Sequence, residues 1–91
     1  MEIEIMKVAR KIQTVEAVHF EKQTQMWEIA QWMKAYRIDG DQNGCEFTYT
    51  FQGEEKAANI KLGKWIVRHE GGFASYSDVD FQKKFVIDRE G

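Results

Sequence analysis

Cysteine, proline and histidine are the scarce residues of this 91-residue chain: one Cys, no Pro and two His. A single Cys excludes an internal disulfide framework, and three soft ligands in all are too few for a structural zinc site of the usual kind. Cys45, His19 and His69 are not spaced to meet on one helix or in one knuckle. No metal or cofactor is therefore expected. A membrane span is missing as well, since no apolar run approaches the ~20 residues a spanning helix needs. Met1-Glu2-Ile3-Glu4-Ile5 opens acidic where a signal peptide would open basic, so reduced cytoplasm is the expected compartment. Strong charge of either sign is lacking too. Thirteen Lys and Arg oppose fifteen Asp and Glu, for a formal net charge of -2, which rules out a globally basic nucleic-acid binder but leaves room for a local patch. Neither phosphate-loop pattern, G-x-x-x-x-G-K-[ST] or G-x-G-x-x-G, occurs.

Apolar residues are plentiful, and a chain of this mass buries about 64% of the surface it exposes unfolded, enough for a core without staples. With no repeat, linker or low-complexity tract, residues 1–91 read as one domain, its ends near 1–5 and 88–91 frayed. Thr14 to Phe20 reads as a strand with apolar groups on both faces, within the sheet or under a helix, and with Glu16 near an edge or paired. From Thr24 to Arg37 the period changes. Met26, Ile29, Ala30 and Met33 form a helical stripe that Tyr36 extends, with Thr24 as N-cap and Gly40 as the stop. Hairpins follow. Asn43-Gly44 has the residues of a type I′ turn, and beyond it Phe47, Tyr49 and Phe51 alternate with polar neighbours to form a core-facing row. Strands are expected over Lys56 to Leu62, Trp65 to His69 and Phe73 to Tyr76. A short turn of helix from Asp78 to Phe81 and a closing strand over Phe85 to Ile87 complete the chain. The sum is an α+β fold in which one amphipathic helix packs on a twisted, mainly antiparallel sheet of about five or six strands.

Asp39-Gly40-Asp41-Gln42-Asn43-Gly44 reproduces the first half of a calcium loop, but its twelfth position is Thr50, which offers no bidentate carboxylate. Turn chemistry explains the same residues. Glu54-Glu55 and Asp78/Asp80 read as solvated charges rather than an acid/base pair. Trp27 and Trp32 lie five residues apart, roughly 140° around a helix, so at least one is peripheral to the stripe. An exposed Trp on a helix rim is a common interface anchor. Trp27, Trp32, Phe73 and Tyr76 are the candidate contacts for a protein partner, with the region from Gly71-Gly72 to Tyr76 as part of that surface. Lys7, Arg10 and Lys11, joined by Lys83 and Lys84, would form a basic patch for nucleic acid if the closing strand brings them together near Trp32, Trp65 or Tyr76. A hydrolase or ligand-binding reading needs two of His19, Cys45 and His69 to meet in one pocket. An unpaired edge strand leaves monomer and homodimer both open.

Val15-Glu16-Ala17-Val18-His19-Phe20 resembles the opening signature, V-E-A-V-Q-W/F, of small uncharacterised phage and prophage proteins, in which it follows a short basic start like Lys7 to Lys11. Leu62-Gly63-Lys64-Trp65-Ile66-Val67 stands where that family shows P-G-D-Y/W-I-I/V. Gly72-Phe73, with Phe81 eight residues on and Phe85 four beyond, follows the spacing of G-E-F-Y-P-C-K-P-D-I-F-E-K-T-Y. Leu62 and Lys64 replace the family's Pro and Asp, and the Phe73 to Phe81 segment has neither Pro nor Cys, so turn rigidity and any thiol role there do not carry over. The resemblance covers about Met6 to Ile87. It implies a phage-encoded α+β protein of the host cytoplasm, with no catalytic residues and no activity attached. The function expected is that of a non-enzymatic accessory protein that binds a macromolecule, with a host protein as one such target.

Overall fold

The computed structural model describes residues 3–10, 13–70 and 72–87. Its elements run β1 (Met6–Arg10), β2 (Gln13–His19), a 3₁₀ turn (Gln23–Gln25), α1 (Met26–Met33), β3 (Arg37–Asp41), β4 (Gly44–Phe51) and β5 (Glu54–Lys61). They continue with β6 (Trp65–His69), β7 (Gly72–Tyr76), α2 (Asp78–Lys84) and β8 (Val86–Ile87). The α+β class holds. One helix on one sheet does not: among the described residues the strands form two antiparallel sheets, β7-β6-β2-β1-β8 and β3-β4-β5, and there are two α-helices.

The two-faced apolar pattern of β2 follows from its central place, since a strand covered on both sides cannot alternate cleanly between apolar and polar. On one face Val18, with Phe20 just beyond the strand, joins Ile66 of β6. They pack against Ile29, Ala30, Trp32 and Met33 of α1 and Cys45, Phe47, Tyr49 and Ile60 of the smaller sheet. On the other face Ala17 joins Val8, Trp65 and Val67 under Phe81 and Phe85. The five-stranded sheet is thus the middle layer between α2 and a composite layer of α1 with the three-stranded sheet. Both cores share that sheet, so the described residues fold as one α+β unit. Ile3 packs against the first core; the expected fraying at residues 1–2 and 88–91 falls outside the described residues.

The helix expected from Thr24 to Arg37 is shorter. Gln25, not Thr24, organises its start: Gln25 Oε1 accepts the backbone N–H groups of Glu21 (2.8 Å) and Lys22 (2.9 Å). It ends at Met33 because Lys34 turns left-handed at φ 60°. Lys34 N–H then donates to Gln31 O and Ala35 N–H to Ala30 O, the paired bonds of a Schellman ending. Beyond it Tyr36 N–H donates to Thr48 O at 2.9 Å, so strand pairing claims the residues that would have extended the stripe. Gly40, far from stopping a helix, lies in β3 beneath Met26, where a Cβ would sit 2.4 Å from Sδ.

The turn at Asn43-Gly44 is displaced by one residue. Gln42 and Asn43 form the loop between paired Asp41 and Gly44, and neither has positive φ. Asp41 Oδ1 holds the turn by accepting from Asn43 N–H (2.7 Å) and Gly44 N–H (3.0 Å). The positive-φ pair lies instead at Gln52 (52°) and Gly53 (81°), between β4 and β5. The second helix is longer than one turn. Ser77 caps it, its Oγ accepting from Asp80 N–H, and it continues to Lys84. Phe81 of this helix stacks on Trp65 with ring centroids 3.9 Å apart.

Candidate functional site

Residues 27, 30 and 31 follow the i, i+3, i+4 spacing of one helix face, so α1 presents Trp27, Ala30 and Gln31 together, and Lys34, just past its end, lines the same cleft. The reversal after Lys34 folds Ala35, Tyr36, Arg37 and Ile38 back alongside that face. Between the two walls lies a cleft of about 220 Å³. Trp27 is 67% exposed and Tyr36 59%, two of the few large apolar side chains left in solvent among the described residues. Tyr36 is held in place by its hydroxyl, which donates to Glu55 Oε1 of β5 at 2.6 Å. That bond, with desolvation and the carboxylate charge adding to it, raises the phenol pKa above its usual value. Lys34 and Arg37 flank the aromatic pair, and neither enters an ion pair among the described residues. The cleft is therefore lined by apolar Ala30, Ala35 and Ile38, two aromatic rings, the Gln31 amide and two available cations.

Trp27 is the exposed helix-rim Trp. Trp32 is not: it is 8% exposed, and its indole Nε1–H donates to Glu16 Oε1 at 2.9 Å while Phe73 packs edge-on at 5.3 Å. Phe73 is half-buried between Trp32 and Tyr49. Tyr76 belongs to the opposite face of the large sheet, against Phe85 and beneath Lys84 Nζ, 5.3 Å from its ring. The four aromatic candidates thus do not share one surface, and Gly71 lies outside the described residues. The Lys34–Arg37 segment was hidden because Tyr36 continues the helical period. The alternation of Tyr36 and Ile38 with charged Arg37 and Asp39 was the available strand signal.

The basic candidates are divided as well. Lys7 pairs with Glu16 across β1 and β2, on the α1 side, whereas Met6 and Val8 point to the α2 side. Lys83 and Lys84 sit on α2 itself, so the large sheet separates them from Lys7. The side chain of Arg10 and all of Lys11 fall outside the described residues. Trp65, a proposed stacking partner, is buried with its Nε1–H donating to Asp78 Oδ1 at 2.9 Å. Asp78 and Glu55, read from sequence as solvated charges, therefore each receive an aromatic donor.

The chemically versatile residues are dispersed. His19 stacks on Trp65 at 4.4 Å, with Nε2 3.1 Å from Gly63 O and Nδ1 3.6 Å from Glu21. His19 pairs across from Trp65, and His69 lies four residues along β6, about 13 Å away at the rise of a strand. Cys45 is buried in the smaller sheet opposite Ile60, where burial pushes its thiol pKa up. At the calcium-like stretch Asp41 is engaged in its own turn and Thr50 lies in β4. No group of three or more His, Cys, Asp or Glu able to hold a metal ion occurs among the described residues. No helix among them is long and apolar enough to cross a membrane. Compared with protein-family models, curated proteins and solved structures, the chain matches none.

Proposed function

We propose that this chain is a phage-encoded accessory protein that works in the host cytoplasm by binding another protein, without catalysis, and that the Trp27–Tyr36 cleft is its contact surface. The observation that carries the reading is the pairing of two exposed large aromatics with Lys34 and Arg37 around one concave floor. Exposed aromatics beside a cation are the residue types that dominate binding energy at protein interfaces. Neither ring belongs to either buried cluster, so both are left facing solvent. The phage origin rests on the signature-like stretches at Val15–Phe20, Leu62–Val67 and Gly72–Phe85. In the fold these are a central strand, the turn leading into β6, and the β7–α2 unit with the residue after it. The separation of His19, His69 and Cys45 supports binding over hydrolysis, which would need two of them in one pocket.

The test is retention of host proteins by the tagged full chain, with Trp27→Ala as control. Trp32→Ala would confound it by opening a core cavity. A protein retained by the wild type and released by Trp27→Ala is the expected result. Retention unaffected by Trp27→Ala, or capture of RNA or DNA alone, would overturn the proposal.

A further inference from the structure

We infer that the partner segment is acidic and inserts a single apolar or aromatic side chain into the cleft, with Asp or Glu on either side of it; this rests on the protein-binding reading above. Three observations bear on it. The first is size. About 220 Å³ falls below the roughly 300–1,000 Å³ typical of pockets that enclose a whole small molecule, and suits one anchoring side chain. The second is the lining. Ala30, Ala35 and Ile38 and the Trp27 and Tyr36 rings make most of the lining apolar, Gln31 being its one uncharged amide, so the inserted group gains from being apolar. The third is charge. The ionisable side chains of the lining, apart from the Tyr36 phenol, are Lys34 and Arg37, and no carboxylate lines the cleft. Glu55, the nearest carboxylate to Tyr36, accepts its hydroxyl and lies outside the lining. A segment carrying carboxylates beside its anchor would meet both cations without competing for a partner they already hold.

The same census argues against a nucleic-acid strand. Two cations neutralise two phosphates, too few for firm binding, and Lys83 and Lys84 do not extend the track because they sit on α2, across the large sheet from α1. Lys34 is held at positive φ by the helix ending, which aims the backbone around the cleft rather than leaving the residue on a free tail.

The experiment is a selection of random displayed peptides on the immobilised full chain, with counter-selection on Trp27→Ala. Affinities of the enriched peptides are then measured at low and high salt. Trp27 is exposed, so its variant folds. The expected peptides carry one apolar or aromatic residue flanked by Asp or Glu. They bind about thirtyfold more weakly to Trp27→Ala, the loss of a strong interface anchor. They bind at least about tenfold more weakly to the double reversal Lys34→Glu/Arg37→Glu, and more weakly as salt rises. Trp27-dependent peptides that are neutral or basic would sink this inference and leave the protein-binding reading standing. No Trp27-dependent peptide would sink both. Trp27-dependent dimerisation in sedimentation, or displacement of the peptides by a single-stranded oligonucleotide, would also overturn it by identifying another occupant.

Discussion

Arg68 offers the sharpest test of how the first core closes. Its guanidinium donates to Trp32 O at 2.6 Å, capping a carbonyl that the end of α1 leaves without a helical partner, and to Glu16 Oε1 at 3.1 Å. It also lies over the Trp32 ring (5.3 Å) and the Phe73 ring (5.5 Å). A charge-assisted bond to a carbonyl contributes about 1.5–3 kcal/mol. The Glu16 pair counts for less than about 1 kcal/mol, because the two side chains are 36% and 42% exposed and solvent screens them. Each cation–π contact adds about 0.5–1 kcal/mol. These groups overlap and do not sum, so Arg68→Ala is expected to cost about 3 kcal/mol, a fall of roughly 15 °C in Tm for a chain of this length. Arg68→Lys keeps a charge near Glu16 but cannot fork to the carbonyl, and is expected to cost about 2 kcal/mol. Glu16→Gln keeps an acceptor for the Trp32 indole and is expected to cost less than about 1 kcal/mol. Urea melts of the three variants, followed by far-UV circular dichroism, measure the order. A Glu16→Gln loss equal to that of Arg68→Ala would refute the reasoning, because the ion pair and not the carbonyl cap would then dominate.

Three further outcomes follow from the same geometry. Trp32→Ala opens a core cavity and should cost about 3–5 kcal/mol, whereas Trp27→Ala should change stability by no more than about 0.5 kcal/mol; thermal melts that reverse this order would place the wrong Trp in the interface. Gly44→Ala should cost about 3 kcal/mol or more, since a Cβ there would meet Ile60 O at 2.2 Å, and a wild-type-like urea midpoint would count against the tight β4–β5 pairing. Asp78 has its pKa lowered chiefly by the Trp65 indole donor and then by Gln82. A carboxylate with a depressed folded pKa stabilises the fold above its unfolded value near pH 4 and loses that contribution as pH falls through the folded one. The stability gap between wild type and Asp78→Asn should therefore narrow as pH drops below about 4, and a gap that stays constant would remove the ionised carboxylate from the explanation.

Period and turn chemistry carried much of the fold in the sequence. Thr14 to Phe20 revealed a strand with two apolar faces, and its meaning, a central strand with a core on each side, follows once Val18 and Ala17 are seen to enter different clusters. β6 was legible at its exact bounds, and Phe47 and Tyr49 face the core as their alternation implied. The α1 stripe was legible but its end was not. Tyr36 fits a helical period and a strand alternation equally well, and only its bond to Thr48 O, 12 residues away, chose between them. β1 escaped notice because Met6-Lys7-Val8-Ala9-Arg10 is too short and charged to announce itself without its partners β2 and β8.

The candidate site divides along the same line. Composition and spacing placed a Trp on the helix rim, but the choice between Trp27 and Trp32 depended on which side of α1 the sheets cover. Glu16 and Arg68, 52 residues apart, bind Trp32 inward. Tyr36, Lys34 and Arg37 join Trp27 because the helix ends at Met33, which local propensity did not require. By itself the sequence determined the α+β class, the residues rich enough in apolar groups to build strands, and the lack of ligands for a conventional structural zinc site, because these depend on composition and short periods. The division into two sheets, the sides on which the lysines fall and the cleft itself were decided by long-range pairing, since a side chain's exposure depends on what the distant chain lays over it.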